Sequence, residues 1–168
     1  MEIINHAGNR YLVYVDRLSG WPFVDECRNR DMKTSDVKAA LCHHFAFGGI
    51  PTRIRTDGGL QFASSEFRDL AEEWGFMHTM SSSPHYPQSN GHAEAAVKAI
   101  KNLLKKSAPF DPSGQLDLDT FDRGLLEWRN TPGPDGLSSA QILFGRQLRS
   151  FIPTHETSTE ERKDVKTT

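Results

Sequence analysis

Two carboxylates on different kinds of element, with a row of amines behind one of them, are the residues of this sequence that could do chemistry. Asp57 follows the β-rich run Ile50 to Thr56 and precedes Gly58-Gly59. Glu94 heads a cationic helical stretch behind the stiff polar loop SSSPHYPQSN. At about 100° per residue, Glu94, Lys98, Lys101 and Lys105 fall on one helical stripe, while Val97, Ile100, Leu103 and Leu104 fall on another. A carboxylate at a strand end, one on a helix and a third on an adjacent strand are what a two-metal phosphoryl-transfer site needs. Divalent ions about 3.5 to 4 Å apart are held there by hard oxygens and clamp the attacking and leaving oxygens of an in-line displacement. Lysines on the stripe of Glu94 would then hold a phosphodiester backbone beside the ions. Plainer accounts fit the same spacing: a solvated helix with a Glu–Lys i,i+4 pair, and an Asp-Gly-Gly turn.

The elements that must position these residues follow from periodicity and punctuation. Glu2 to Asn5, Tyr11 to Val15 and Trp21 to Glu26 read as three antiparallel strands, with turns at His6–Asn9 and Leu18-Ser19-Gly20. Asp31 to Phe47 reads as a helix with Thr34 or Ser35 as N-cap, buried positions Val37, Leu41, His44 and Phe45, and a stop at Gly48-Gly49. Next come a short strand, Ile50 to Thr56, and a helix capped by Ser64 or Ser65 that buries Phe67, Leu70, Ala71 and Trp74. That helix stops at Gly75, before a strand from Phe76 to Met80. A helix between two short strands implies a parallel crossover, which puts Asp57 at a strand's C-terminal end, where α/β sheets keep their sites. The central helix starts at Gly91 or His92 and runs to Lys106. A loop from Ala108 to Gln115, a helix from Leu116 to Trp128 and a last short helix from Ser138 to Phe144 complete the reading.

Composition limits the alternatives. The 168 residues, 36% hydrophobic, suffice for one core-bearing domain over residues 1–153, and the polar stretch 154–168 is expected to be a disordered tail. A net charge of −2 provides no global cationic field, so a nucleic acid would be held by local patches such as the lysine stripe. Cys27 and Cys42 are too few for a disulfide framework and read as reduced thiols. The longest apolar run, Tyr11 to Val15, is far below a membrane span, so no membrane partner is expected, and the two reduced thiols place the protein inside the cell.

Three motifs in order, TDGGLQF, SSSPHYPQSNGHAEAAVKAIK and RNTPGPDGLSSAQILFGRQLR, resemble signatures of the integrase catalytic core of gypsy-type LTR retrotransposons, related to retroviral integrases and the wider DDE transposases. VDRLSGW resembles that family's second strand, and the similarity runs from Tyr11 to Pro153. The resemblance implies an α/β, RNase H-like fold: a mixed five-stranded sheet, three antiparallel strands then two parallel ones, flanked by helices. It places the second catalytic Asp at Asp57 and the catalytic Glu at Glu94, as ligands of Mg²⁺ or Mn²⁺. It implies DNA as partner, DNA integration by 3′-end processing and strand transfer as the reaction, and a nuclear site if the host is eukaryotic. A homo-oligomer through the core domain stays open. Gln88 and Asn90 fall in the family's flexible loop, where such residues approach DNA, loop punctuation being the plainer account. Lys98 and Lys101 correspond to helix positions that face DNA ends, and Lys105 continues their stripe. Asp16 ends a strand but is not at a metal-ligand position in the family, and it reads as a turn residue. Gly58 stands where many relatives have Asn.

The sequence departs from the family pattern at its start. The first catalytic Asp is expected on the first strand, and counting back from Asp16 lands on Glu2. The extra methylene of Glu displaces its carboxylate by about a bond length, where catalytic groups tolerate about 0.5 Å. The family's zinc-binding N-terminal region and C-terminal DNA-binding domain have no counterpart in the sequence, so the chain reads as an excised or decayed core with weak or absent activity. A non-catalytic nucleic-acid-binding or protein-interaction remnant is the alternative, and a metal-dependent nuclease of the same fold is third.

Overall fold

The computed structural model describes residues 1–27, 31–80, 91–107 and 116–152. The expectations for Gln88, Asn90, the loop 108–115 and the tail 154–168 lie outside those residues. The chain divides into two compact units, Met1–Tyr14 with Phe23–Asn90, and Val15–Pro22 with Gly91–Thr168.

The first unit holds the strands and two helices. β1 (Glu2–His6) and β2 (Asn9–Val15) form an antiparallel hairpin with Glu2 opposite Val13 and His6 opposite Asn9. Its two-residue turn takes positive φ at Ala7 (49°) and Gly8 (81°), the pairing that matches the twist of the flanking strands and lets both run longer than expected. β3 (Pro22–Cys27) completes the order β1-β2-β3. Then follow α1 (Thr34–Gly48), β4 (Arg53–Thr56), α2 (Ser65–Trp74) and β5 (Met77–Met80), with β4 and β5 parallel from Arg53 opposite Met77 to Thr56 opposite Met80. Leu12, Val37, Leu41, Ile54, Phe67 and Leu70 are among the residues that close the core between these elements.

Several boundaries shift for identifiable reasons. The N-cap of α1 is Lys33, not Thr34 or Ser35, because the Asp36 carboxylate accepts the Lys33 backbone N–H at 2.8 Å while the Thr34 hydroxyl donates to the Gln61 carbonyl at 3.2 Å. β4 begins at Arg53, past Pro51, which has no N–H for a ladder. β5 begins at Met77 because the Phe76 N–H closes the end of α2 on the Ala71 carbonyl, 3.1 Å away, where Gly75 turns left-handed at φ 73°.

The expected three antiparallel and two parallel strands with helices are all present. Hydrogen bonding forms two sheets, β1-β2-β3 and β4-β5, instead of one continuous ladder. Between them the Met1 amine donates to the Arg55 carbonyl at 2.7 Å, so the start of β1 reaches β4.

The second unit is helical. α3 (Gly91–Lys106) packs on α4 (Leu118–Asn130), and α5 (Ser139–Phe144) follows. α4 starts at Leu118 because Asp117 caps it, accepting the Thr120 N–H at 3.2 Å. Ser138 and Gln141 cap α5 reciprocally. The turn at Asp16 belongs to this unit. The Asp16 carboxylate accepts the Ser19 N–H at 2.9 Å and its hydroxyl at 2.5 Å, the turn chemistry expected of it. Arg129 of α4 holds the end of that turn, donating to the Pro22 carbonyl at 2.6 Å with its guanidinium 4.1 Å from the Trp21 ring centre.

Candidate functional site

Alternation along β4 prepares the position of Asp57. Ile54 and Thr56 are buried while Arg53 and Arg55 are exposed, and the next residue leaves the strand with an exposed carboxylate. Asp57 Oδ1 accepts the Gly59 N–H at 3.2 Å, the local turn that Asp-Gly-Gly predicts. A Cβ at position 59 would sit tightly, 3.2 Å from Asp57 Oδ1 and 3.3 Å from Phe62 Cδ2. Gly58, by contrast, has open space around it. The loop beyond is tied down by the buried Phe62 ring and by Gln61, whose side-chain amide donates to the Met32 carbonyl at 2.9 Å.

Glu2 lies at the start of β1, half-buried, in the same unit. The Met1 amine reports its placement. Burial pushes that amine below its ordinary pKa, the carboxylates of Glu2 and then Asp57 pull it up, and the Arg55 guanidinium pushes it down. The Met1 amine bonds the Arg55 carbonyl, which brings Glu2, next to Met1, and Asp57, two residues past Arg55, to the same region of the first unit. Both present hard oxygens, the donor type that Mg²⁺ and Mn²⁺ take, so the pair fits a divalent ion in donor chemistry. Among the described residues, no group of three His, Cys, Asp or Glu side chains gathers at metal-ligand spacing.

Glu94 belongs to the second unit, exposed in the first turn of α3, where the helix dipole favours a carboxylate. Lys98, Lys101 and Lys105 are exposed along the same helix, and Lys105 and Lys106 form its basic last turn. Ile100 and Leu104 of the expected packing stripe are buried, Ala96 joins them, and Val97 and Leu103 at its two edges are half-buried. α4 meets this face at a glycine: a Cβ on Gly124 would lie 2.5 Å from Leu103 Cδ2. Sequence reading missed Thr56 and His78. The Thr56 hydroxyl, fully buried beside Asp57, pairs with His78 Nε2 at 2.9 Å, and the available signal was a threonine in phase with the buried Ile54.

Comparison with known proteins places this geometry. Residues 2–87, just over half of the chain, match the integrase core domain family. The chain is 30% identical over 141 residues to the Gag-Pol polyprotein of gibbon ape leukemia virus, covering 82% of this chain and 8% of the polyprotein. It thus spans a small part of the length of the curated relatives it matches. A chain of the simian T-cell lymphotropic virus intasome superposes with a TM-score of 0.65 at 26% identity, over 92% of this chain and 54% of that one. The catalytic core domain of HTLV-2 integrase, solved in complex with magnesium, superposes with a TM-score of 0.60 at 22% identity, over 84% of this chain and 90% of that one, and shares its fold. A family match that begins at Glu2 and takes in β1 to β5, and an α/β fold of the RNase H-like kind, lead to one conclusion: the chain belongs to the integrase core domain family.

Proposed function

We propose that this chain is the catalytic core of a gypsy-type retrotransposon integrase, that its reaction is 3′-end processing and strand transfer of DNA, and that Asp57, Glu94 and Glu2 are its metal ligands. The observation that carries the proposal is the bond from the Met1 amine to the Arg55 carbonyl, which brings Glu2 and Asp57 into one region of the first unit. The magnesium in the HTLV-2 core and the intasome assembly of the simian virus relative support Mg²⁺ as cofactor, and DNA and an oligomer as partners. Bound divalent ions supply activation of the attacking oxygen and neutralise charge on the phosphate. Glu2, Asp57 and Glu94 would hold those ions. Gly59 and the Phe62 loop keep the Asp57 carboxylate from swinging away. The lysines at 98, 101 and 105 take the phosphodiester backbone, and Gln88 and Asn90 approach the DNA from the preceding loop. Water attacks in end processing and a DNA 3′-hydroxyl attacks in strand transfer.

Because Glu2 is longer than the family's Asp, turnover is expected to be weak. A disintegration assay on branched DNA tests the assignment. Asp57→Asn and Glu94→Gln should each remove the residual turnover, and Glu2→Asp should raise it. Turnover indifferent to both Asp57→Asn and Glu94→Gln would overturn the site. The non-catalytic reading has one observation in its favour, the Glu at position 2. It would be upheld by a chain that never turns over yet binds DNA in a salt-dependent manner that Lys98→Glu with Lys101→Glu abolishes.

A further inference from the structure

Thr56 is the last residue of β4, and its side chain is 1% exposed. A buried hydroxyl requires a partner, and this one has His78 Nε2 at 2.9 Å. In the parallel register His78 stands opposite Ile54 and Thr56 opposite Met80, so the imidazole reaches forward along the strands toward the C-terminal edge. Its ring is set against that of Phe67 on α2, with centroids 4.7 Å apart at 67°, and Phe67 is itself fully buried. Burial lowers the His78 pKa below its ordinary value. The neutral ring that results offers one donor and one acceptor, and either can satisfy the threonine hydroxyl. Asp57 comes next in the chain, past the last β4–β5 pair. On its loop side the Gly59 N–H restrains the carboxylate, and on its strand side the anchor is Thr56.

We infer that His78 is a positioning residue for the Asp57 carboxylate and acts through the Thr56 hydroxyl; the inference rests on the reading of Asp57 as a divalent-ion ligand. Freed from His78, Thr56 would leave a buried hydroxyl unpaired and could relieve it only by turning χ1 or shifting the strand end, and either change is passed to the next residue. Ligand geometry tolerates displacements of about 0.5 Å. Groups that support a ligand without touching the ion are worth about 10–100-fold in metal affinity.

The test is Mn²⁺ binding by the full chain, measured by calorimetry with Mn²⁺ alone, beside thermal unfolding of each variant without metal. Thr56→Val, which keeps the shape and deletes the hydroxyl, and His78→Phe should each weaken Mn²⁺ binding about tenfold. Combining them should add little, because both remove the same bond. Thr56→Ser, which retains the hydroxyl, should bind close to the native chain. If His78→Phe does not fold, His78→Leu replaces it and Thr56→Val removes the bond from the other side. A merely structural pair would lower the melting temperature and leave Mn²⁺ affinity native, and that result overturns the inference. Asp57→Asn separates the two failures. Unchanged Mn²⁺ affinity in Asp57→Asn overturns the ligand reading and this inference with it. Lost affinity there, with native affinity in the Thr56 and His78 variants, overturns this inference alone.

Discussion

Asp57 and Glu94 are held by opposite means. In the first unit, Asp57 sits among short polar bonds: its own to the Gly59 N–H, the Thr56–His78 pair before it, and the Gln61 amide on Met32 beyond it. In the second, Glu94 extends from the exposed face of a helix whose place is set by Ala96, Ile100 and Leu104, with α4 approaching at Gly124. Polar restraints act over one or two bonds and fix the direction of a carboxylate. Apolar packing acts over a whole helix, fixing where the backbone lies and leaving the side chain to solvent. The first kind of hold is broken by removing a donor or acceptor, the second by changing volume.

Core truncation should separate the two regions most strongly. Phe67, fully buried between α2 and the β4–β5 pair, should cost about 3–5 kcal/mol on Phe67→Ala, and Ile100→Ala about 2–5 kcal/mol. Amide hydrogen exchange distinguishes where each acts. Phe67→Ala should release α2, β4 and β5 first, and Ile100→Ala should release α3 and α4 first. Equal loss of protection everywhere in both variants would show that the two regions are held as one.

Gly124→Ala is a volume test of the second kind of hold. Its Cβ would lie 2.5 Å from Leu103 Cδ2, so Leu103 must change rotamer or the helices must part, at about 1–3 kcal/mol, against a helix-propensity gain of about 0.5–1 kcal/mol. The net loss should be about 1 kcal/mol and should disappear in the Leu103→Ala background. A loss that persists there would place the crowding elsewhere. Ser64→Ala tests the first kind of hold at a similar or smaller scale, about 1 kcal/mol in urea unfolding, since the hydroxyl accepts the Phe67 N–H at 3.2 Å and donates to the Gln61 carbonyl at 3.0 Å.

The same division governs what could be read from the sequence. The strand end at Thr56, the Ser64 cap, the Gly75 stop and the helix start at Gly91 are local signals, and each lies where periodicity and punctuation put it. The parallel pairing of β4 and β5 followed from the helix between them. The misplaced features depend on residues distant in the chain. Thr34 was unavailable as a cap because Gln61, 27 residues on, takes its hydroxyl. The close approach of α4 to Leu103 at Gly124 is encoded by no pattern within α3. The Thr56–His78 bond joins positions 22 residues apart, and neither residue type announces it. Apolar patterns specify that a face is buried, and the partner decides which atoms meet.

The smallest expected effect is on acid sensitivity, and it belongs to the polar hold alone. Burial lowers the pKa of His78 in the folded chain below its ordinary value of 6.5. As pH falls past about 6.5, the unfolded chain takes up a proton on this histidine before the folded chain does, so folding loses ground. His78 therefore contributes stability that is fully present above the unfolded pKa and declines as pH falls through it toward the folded pKa. His78→Gln, which can still hydrogen-bond Thr56 but cannot titrate, should flatten the fall of the melting temperature between about pH 7 and pH 5 while lowering its plateau slightly. Ile100→Ala, which changes only volume, should lower the whole profile without altering its slope. A native slope in His78→Gln would put the acid sensitivity on other groups, and the bond behind Asp57 would then respond to pH no more than the apolar contacts under α3 do.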